Sequence, residues 1–238
     1  MPTRVISSDN YADFLAELRA LADEKYRRFH SGLVPGEESV CILGVRMPVL
    51  RALGKELAAG EPRQFLSVCG DTFYEERMLR AIVTGLIKPK DYEDFLTLAD
   101  GYLPYVSNWA LCDCFCSGLK AVRRWKAPFF EHIAEYLEGD IWAQRVGLVL
   151  MLDYYLDDEY IDRVLARVDA VHSEAYYVRM AQAWLLATAL AKCPEPSLAY
   201  YRGNSLDDFT HNKAVQKALE SFRIDEETKN ILRALKRS

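Results

Sequence analysis

The chain contains no apolar run longer than the seven residues Val146–Leu152, far short of the roughly 20 that a membrane-spanning helix needs. The opening Met1-Pro-Thr-Arg-Val-Ile lacks an apolar signal core, so no export is expected. Cysteine is sparse, with six in 238 residues. That does not suggest a disulfide framework, and a cytoplasmic location follows as the expectation. No stretch alternates apolar and polar residues over a strand's length, which argues against a sheet. Neither a G-x-x-x-x-G-K-[ST] phosphate loop nor a dinucleotide fingerprint is present. His30, His132, His172 and His211 are scattered, and no Ser–His or Cys–His arrangement has local support. Positive charge is also short: 30 Lys and Arg against 35 Asp and Glu give a net charge of −5, the wrong sign for a protein advertising itself to nucleic acid.

Half the residues are apolar and 27% are charged, the balance of a folded, soluble chain. Helix formers dominate, and they repeat. Tyr74-x-x-Arg77, Trp142-x-x-Arg145 and Tyr176-x-x-Arg179 each open an apolar helical run, at spacings of 68 and then 34 residues. A further step of 34 from Arg179 reaches Lys213. Second helices keep the step, with starts near Asp91, Trp125, Glu159 and Glu227. A period in this range marks a helical solenoid, whose helix pairs bury their apolar faces by stacking on neighbours. The expectation is an all-α array of at least five two-helix repeats in one domain, 1–238. Residues 1–70 would form N-terminal helices and 71–238 the regular repeats.

Asp9 is expected to cap a first helix running to about His30, with Phe14, Leu15, Leu18, Leu21 and Ala22 at helical spacing. Gly32, Pro35 and Gly36 mark a connector. Pro48 suits the first turn of the next helix and Gly60 closes it. The array then predicts helices over 73–87, 91–101, 107–119, 124–137, 140–154, 158–170, 174–192, 195–202, 210–221 and 226–236. Asp91, Ser107, Ser173 and Asp225 read as caps.

Asn108-Trp-Ala-Leu-Cys-Asp113 breaks the pattern most sharply. Asp113 falls where the other repeats carry Leu79, Gly147, Ala181 and Val215. Trp109 lies one helical turn before it on the same face. On a helix projection Trp109, Asp113 and Trp184 fall within roughly 60° of one another at their repeat offsets. Stacked repeats would then bring two indoles and a carboxylate to one surface. The competing reading has both indoles in the core and Asp113 paired with a neighbouring Arg. Arg145 belongs to the recurrent basic position and lies roughly 160° from Asp113 on the projection, which suits inter-repeat ion pairs. Its long stem leaves a role in the site open.

Cys112, Cys114 and Cys116 form C-x-C-x-C, but only the outer two share a helix face, and zinc sites usually space their cysteines differently. Small buried residues are the expectation there, with no metal. Lys120, Arg123, Arg124 and Lys126 around Trp125 make the densest basic patch, either a solvated helix start or a phosphate contact.

At these residues the chain resembles the DNA alkylation repair family, the AlkD-like glycosylases built from HEAT-like repeats. The resemblance runs from about Gly44-Val-Arg-Met-Pro48 to Lys213. It is most specific at Trp109-x-x-x-Asp113, Ile141-Trp-Ala-Gln-Arg145 and Tyr177-Val-Arg-Met-Ala-Gln-Ala-Trp184. It implies a right-handed HEAT-like superhelix that hydrolyses the N-glycosylic bond of cationic N3- or N7-alkylated purines in duplex DNA bound across its concave face. Asp113 would be the catalytic aspartate, Trp109 and Trp184 the cleft tryptophans and Arg145 the essential arginine. Arg179 and Lys213 are expected to contact DNA. Neither metal nor organic cofactor is implied, and the protein is expected to act as a monomer. The chain departs from DNA-binding relatives at Leu185-Leu186-Ala187 and at Asp153, where extra Lys or Arg is usual. The other reading is a non-catalytic repeat scaffold for nucleic acid or a protein partner.

Overall fold

The computed structural model describes residues 3–34 and 41–237. Fourteen α-helices account for most of them: α1 Tyr11–Ala20, α2 Glu24–Ser31, α3 Met47–Ala59, α4 Pro62–Val68, α5 Tyr74–Leu86, α6 Tyr92–Asp100, α7 Trp109–Gly118, α8 Lys126–Leu137, α9 Ile141–Tyr154, α10 Ile161–Ala170, α11 Tyr176–Lys192, α12 Pro194–Arg202, α13 Asp208–Glu220 and α14 Glu226–Ala234. Two 3₁₀ turns, Leu103–Tyr105 and Lys120–Arg124, precede α7 and α8. No sheet forms among the described residues; a single bridge joins Cys41 to Phe73. From α5 onward, first helices start at residues 74, 109, 141, 176 and 208, and second helices at 92, 126, 161, 194 and 226. Each step is 32 to 35 residues, so the period in the sequence is a period of helix pairs.

The chain divides into two compact units, Met1–Trp125 and Lys126–Ser238. In the first, α5 packs between α3 and α7. Its core gathers Phe14, Leu18, Leu50, Leu57, Phe65, Met78, Leu79 and Leu111, none above 2% exposed. In the second, α11 packs between α9 and α13, while α8 covers α9 and α12 lies on α10 and α11. Alternate helices thus line up as neighbours in each unit. A short helix in this arrangement buries its stripe against two partners rather than one.

The N-terminal reading needs correction. One helix to His30 was expected, but α1 stops at Ala20 and α2 begins at Glu24. Asp23 causes the restart: its side chain accepts the Tyr26 N–H at 2.9 Å, capping α2. Asp9 does not cap α1; Asn10 holds the cap position. Similarly, Asn108 rather than Ser107 caps α7, accepting from the Ala110 and Leu111 amides at 2.8 and 3.0 Å. Ser107 instead accepts from Arg77 at 3.0 Å. Ser173 accepts the Ala175 N–H just outside α11. Asp91 and Asp225 do cap α6 and α14. Pro48 lies in the first turn of α3 and Gly60 ends it. Of the connector after α2, Pro35 and Gly36 lie outside the described residues.

Buried polar groups tie the first unit together. Glu75, 1% exposed, accepts the amides of Leu43, Gly44 and Val45 at 3.0, 2.8 and 3.1 Å. Gly44 in that loop has φ +92°, and a Cβ there would stand 2.5 Å from the Asp23 carbonyl, so only glycine fits. Glu76, equally buried, accepts the Phe73 amide at 2.7 Å and the Tyr11 hydroxyl.

Candidate active site

In the first unit α7 carries the Trp109–Asp113 pair. The Asn108 cap starts the helix abruptly, so Trp109 occupies its first position and Asp113 follows one turn later on the same face. Both side chains are partly buried, while Leu111 and Phe115 on the far side of the helix and Cys112 and Cys116 flanking the pair are fully buried. The helix is therefore anchored by its buried side chains; Trp109 packs against the core cluster of this unit, and Ser117, one turn after Asp113, is exposed. The Trp109 indole N–H donates to the Leu33 carbonyl at 2.9 Å, fixing the ring against the segment that follows α2. Ser117 donates to the Asp113 carbonyl at 2.7 Å. Burial pushes the Cys114 thiol up to about 11; Arg51 pulls against that shift and the Asp113 carboxylate adds to it. An indole beside a carboxylate suits a cationic, sugar-bearing substrate, because the ring face and the negative charge both attract it.

In the second unit α11 presents Trp184, at 36% among the exposed large side chains. Leu185, Leu186 and Ala187, which follow it, are buried. The departure from a basic lining is thus a packed helix flank. Arg145 on α9 is only 5% exposed and donates to the Tyr177 carbonyl at 2.9 Å, at the start of α11. The recurrent basic position has one structural habit: Arg77 reaches Ser107, Arg145 reaches Tyr177, and Arg179 approaches Asp207 at 3.7 Å. In each case the side chain ties one repeat to the start of the next. Lys213 bonds Gln216 on its own helix at 3.1 Å. Arg179 and Lys213 both stand over the Phe209 ring, at 5.4 and 5.8 Å.

The basic patch resolves into separate roles. Arg124 lies over Trp125 at 4.4 Å, and Trp125 stacks on Phe95 at 5.3 Å. Lys126 pairs with Asp157 in the second unit. Lys120 and Arg123 remain exposed, and Lys120 lines an open groove of about 340 Å³ with Arg51, Lys55, Cys114 and Ser117. Arg51 and Lys55 escaped the reading of the sequence. Their spacing of four, one turn apart on α3, was the available signal. Cys112 and Cys116 are buried thiols. Among the described residues no three His, Cys, Asp or Glu side chains converge as a metal site would need, and no helix is long and apolar enough to cross a membrane.

The sequence profile described as DNA alkylation repair enzyme matches residues 14–200. Neither the curated proteins nor the solved structures contain a match to this chain. The profile spans most of the chain, including both helices that carry the tryptophans and the one that carries Arg145: this protein belongs to the DNA alkylation repair enzyme family.

Proposed function

We propose that this protein is a DNA glycosylase that hydrolyses the N-glycosylic bond of cationic N3- and N7-alkylated purines in duplex DNA. Its repeats would wind as a right-handed HEAT-like superhelix, with Trp109, Asp113, Trp184 and Arg145 as its catalytic residues. The observation that carries the reading is the partly buried Trp109–Asp113 pair, spaced one turn apart on α7, with Trp109 placed by the Asn108 cap and the Leu33 carbonyl.

An alkylated purine already bears positive charge, so the glycosylic electron pair leaves with the base and neutralises it without an added proton. The barrier lies in the positive charge that develops on the sugar. A carboxylate beside an indole lowers that barrier, since a less polar surrounding strengthens its pull on the cation. Asp113 also orients the water whose oxygen bonds to C1′, and the water's proton passes to solvent. The products are a neutral alkylated base and an abasic sugar. Trp109 and Trp184 pack on the sugar and attract the cationic centre. Arg145 holds a backbone phosphate, and Arg179 and Lys213 extend the contact. The reaction as written requires no metal or organic cofactor, and it suits a cytoplasmic monomer.

The acidic net charge, with Leu185, Leu186 and Ala187 buried where a basic lining is usual, favours a second reading, a non-catalytic scaffold. One assay separates the two: release of methylated bases from alkylated duplex by the purified protein, with Asp113→Asn alongside. Release lost in the variant supports the glycosylase, and release by neither protein supports the scaffold.

A further inference from the structure

We propose that Arg51, Lys55 and Lys120 form a phosphate-binding groove that grips the DNA backbone beside Asp113. This rests on the DNA reading above and adds to it the anchor that the acidic chain otherwise lacks. Arg51 and Lys55 stand one turn apart on α3, and Lys120 follows the end of α7. All three are exposed and line one groove, with Ile82, Gly85 and Leu86 of α5 and Cys114, Ser117 and Gly118 of α7. No acidic residue lines it. Among the described residues none of the three cations forms an ion pair or a side-chain hydrogen bond, although most arginines of this chain do.

The floor is backbone. A Cβ on Gly85 would lie 2.7 Å from the Gly118 carbonyl oxygen, so α5 and α7 touch without side chains between them. Both helices end at this point, and each carbonyl end carries about half a negative charge. Two such ends offset about one of the three positive charges, leaving a surplus of about two. That surplus fits a phosphodiester, which a guanidinium engages through two parallel hydrogen bonds and an ammonium through its charge.

Position supplies the link to chemistry. Ser117, in the groove, bonds the Asp113 carbonyl at 2.7 Å, so the groove opens one helical turn beyond the carboxylate. A turn is about 5.4 Å and a strand advances about 3.4 Å per nucleotide, which puts the gripped phosphate within about two nucleotides of the reacting sugar. Asp113 alone would repel the backbone it must approach. Cations next to it offset that repulsion.

The test is the salt dependence of binding to undamaged duplex with 5′-hydroxyl ends, followed by fluorescence anisotropy. The unmodified protein is compared with R51Q/K55Q/K120Q and with a charge-matched control, K25Q/R202Q/R223Q, built on exposed residues that do not line the groove. The slope of log affinity against log salt should fall by about 1 to 2 in the groove variant, with affinity near 0.1 M salt at least about tenfold weaker. The control should change little. An unchanged slope in the groove variant, an equal loss in the control, no measurable duplex binding by the unmodified protein, or an effect confined to duplexes with terminal phosphates would each overturn the proposal. Circular dichroism melting of all three proteins guards against misfolding, and exposed Gln substitutions leave the helices intact. Because binding is read without base excision, failure of the groove and failure of the glycosylase reading are separate results.

Discussion

Asp113 occupies a position where the other repeats carry Leu79, Gly147, Ala181 and Val215, so the helix does not need its charge. Asp113→Asn keeps the shape and removes the charge that would stabilise the developing sugar cation. Losing one such electrostatic partner costs about 10²–10³ in rate. Base release should fall by that factor, while the melting temperature stays level or rises slightly. A sharp drop in melting temperature would instead make the carboxylate part of the scaffold. Trp109 has a second duty, because its N–H holds the Leu33 carbonyl. Trp109→Phe keeps a ring but loses that bond, a net cost of about 0.5–1.5 kcal/mol. Amide exchange should speed up around residues 30–34 and leave α9 and α11 unchanged; no change around Leu33 would show that the bond contributes nothing.

At the scale of elements, the inter-repeat arginines make a distinct prediction. Arg145→Met removes a charged donor from the part-buried Tyr177 carbonyl at the start of α11. A bond of this kind contributes about 1.5–3 kcal/mol, so urea denaturation should show a loss of that order. If stability holds and only base release falls, the side chain serves the substrate rather than the stacking of α9 on α11. Glu75 is the corresponding device in the first unit. Glu75→Ala strands the amides of Leu43, Gly44 and Val45, and even partial loss should cost about 3 kcal/mol or more. A variant as stable as the parent would mean that water replaces the carboxylate freely.

At the scale of the whole molecule, stability should fall in mild acid. Burial lowers the pKa of His30. It also lowers that of His211, against the Leu235 carbonyl that its Nε2 bonds at 2.8 Å and with the help of Arg237. Both rings therefore favour the neutral form in the folded state. As pH drops below about 6.5 the unfolded chain takes up protons first. The stabilisation is complete above that value and is lost progressively toward the lower folded pKa values. Melting temperature should decline between pH 7 and pH 5, and His211→Gln should flatten part of that decline. A flat profile in the unmodified protein would show that neither ring is desolvated enough to matter.

The period, the alternation of first and second helices, the absence of sheet among the described residues and the family were legible in the sequence, because helical periodicity and capping are local: Asp91 and Asp225 cap the helices they precede whatever lies beyond. Asp113 stood out for the same reason, as a carboxylate on an apolar register. The cap of α7 was expected at Ser107, but Asn108 fills it while Ser107 accepts from Arg77, 30 residues earlier. Tertiary structure alone decided the contacts between distant segments. The indole of Trp109 meets a carbonyl 76 residues away, Glu75 captures a loop 30 to 32 residues before it, and the groove draws Arg51 and Lys55 from α3 and Lys120 from just beyond α7. Such placements depend on which helix faces pack together. Packing is set by the summed burial of many side chains rather than by any single stretch of sequence.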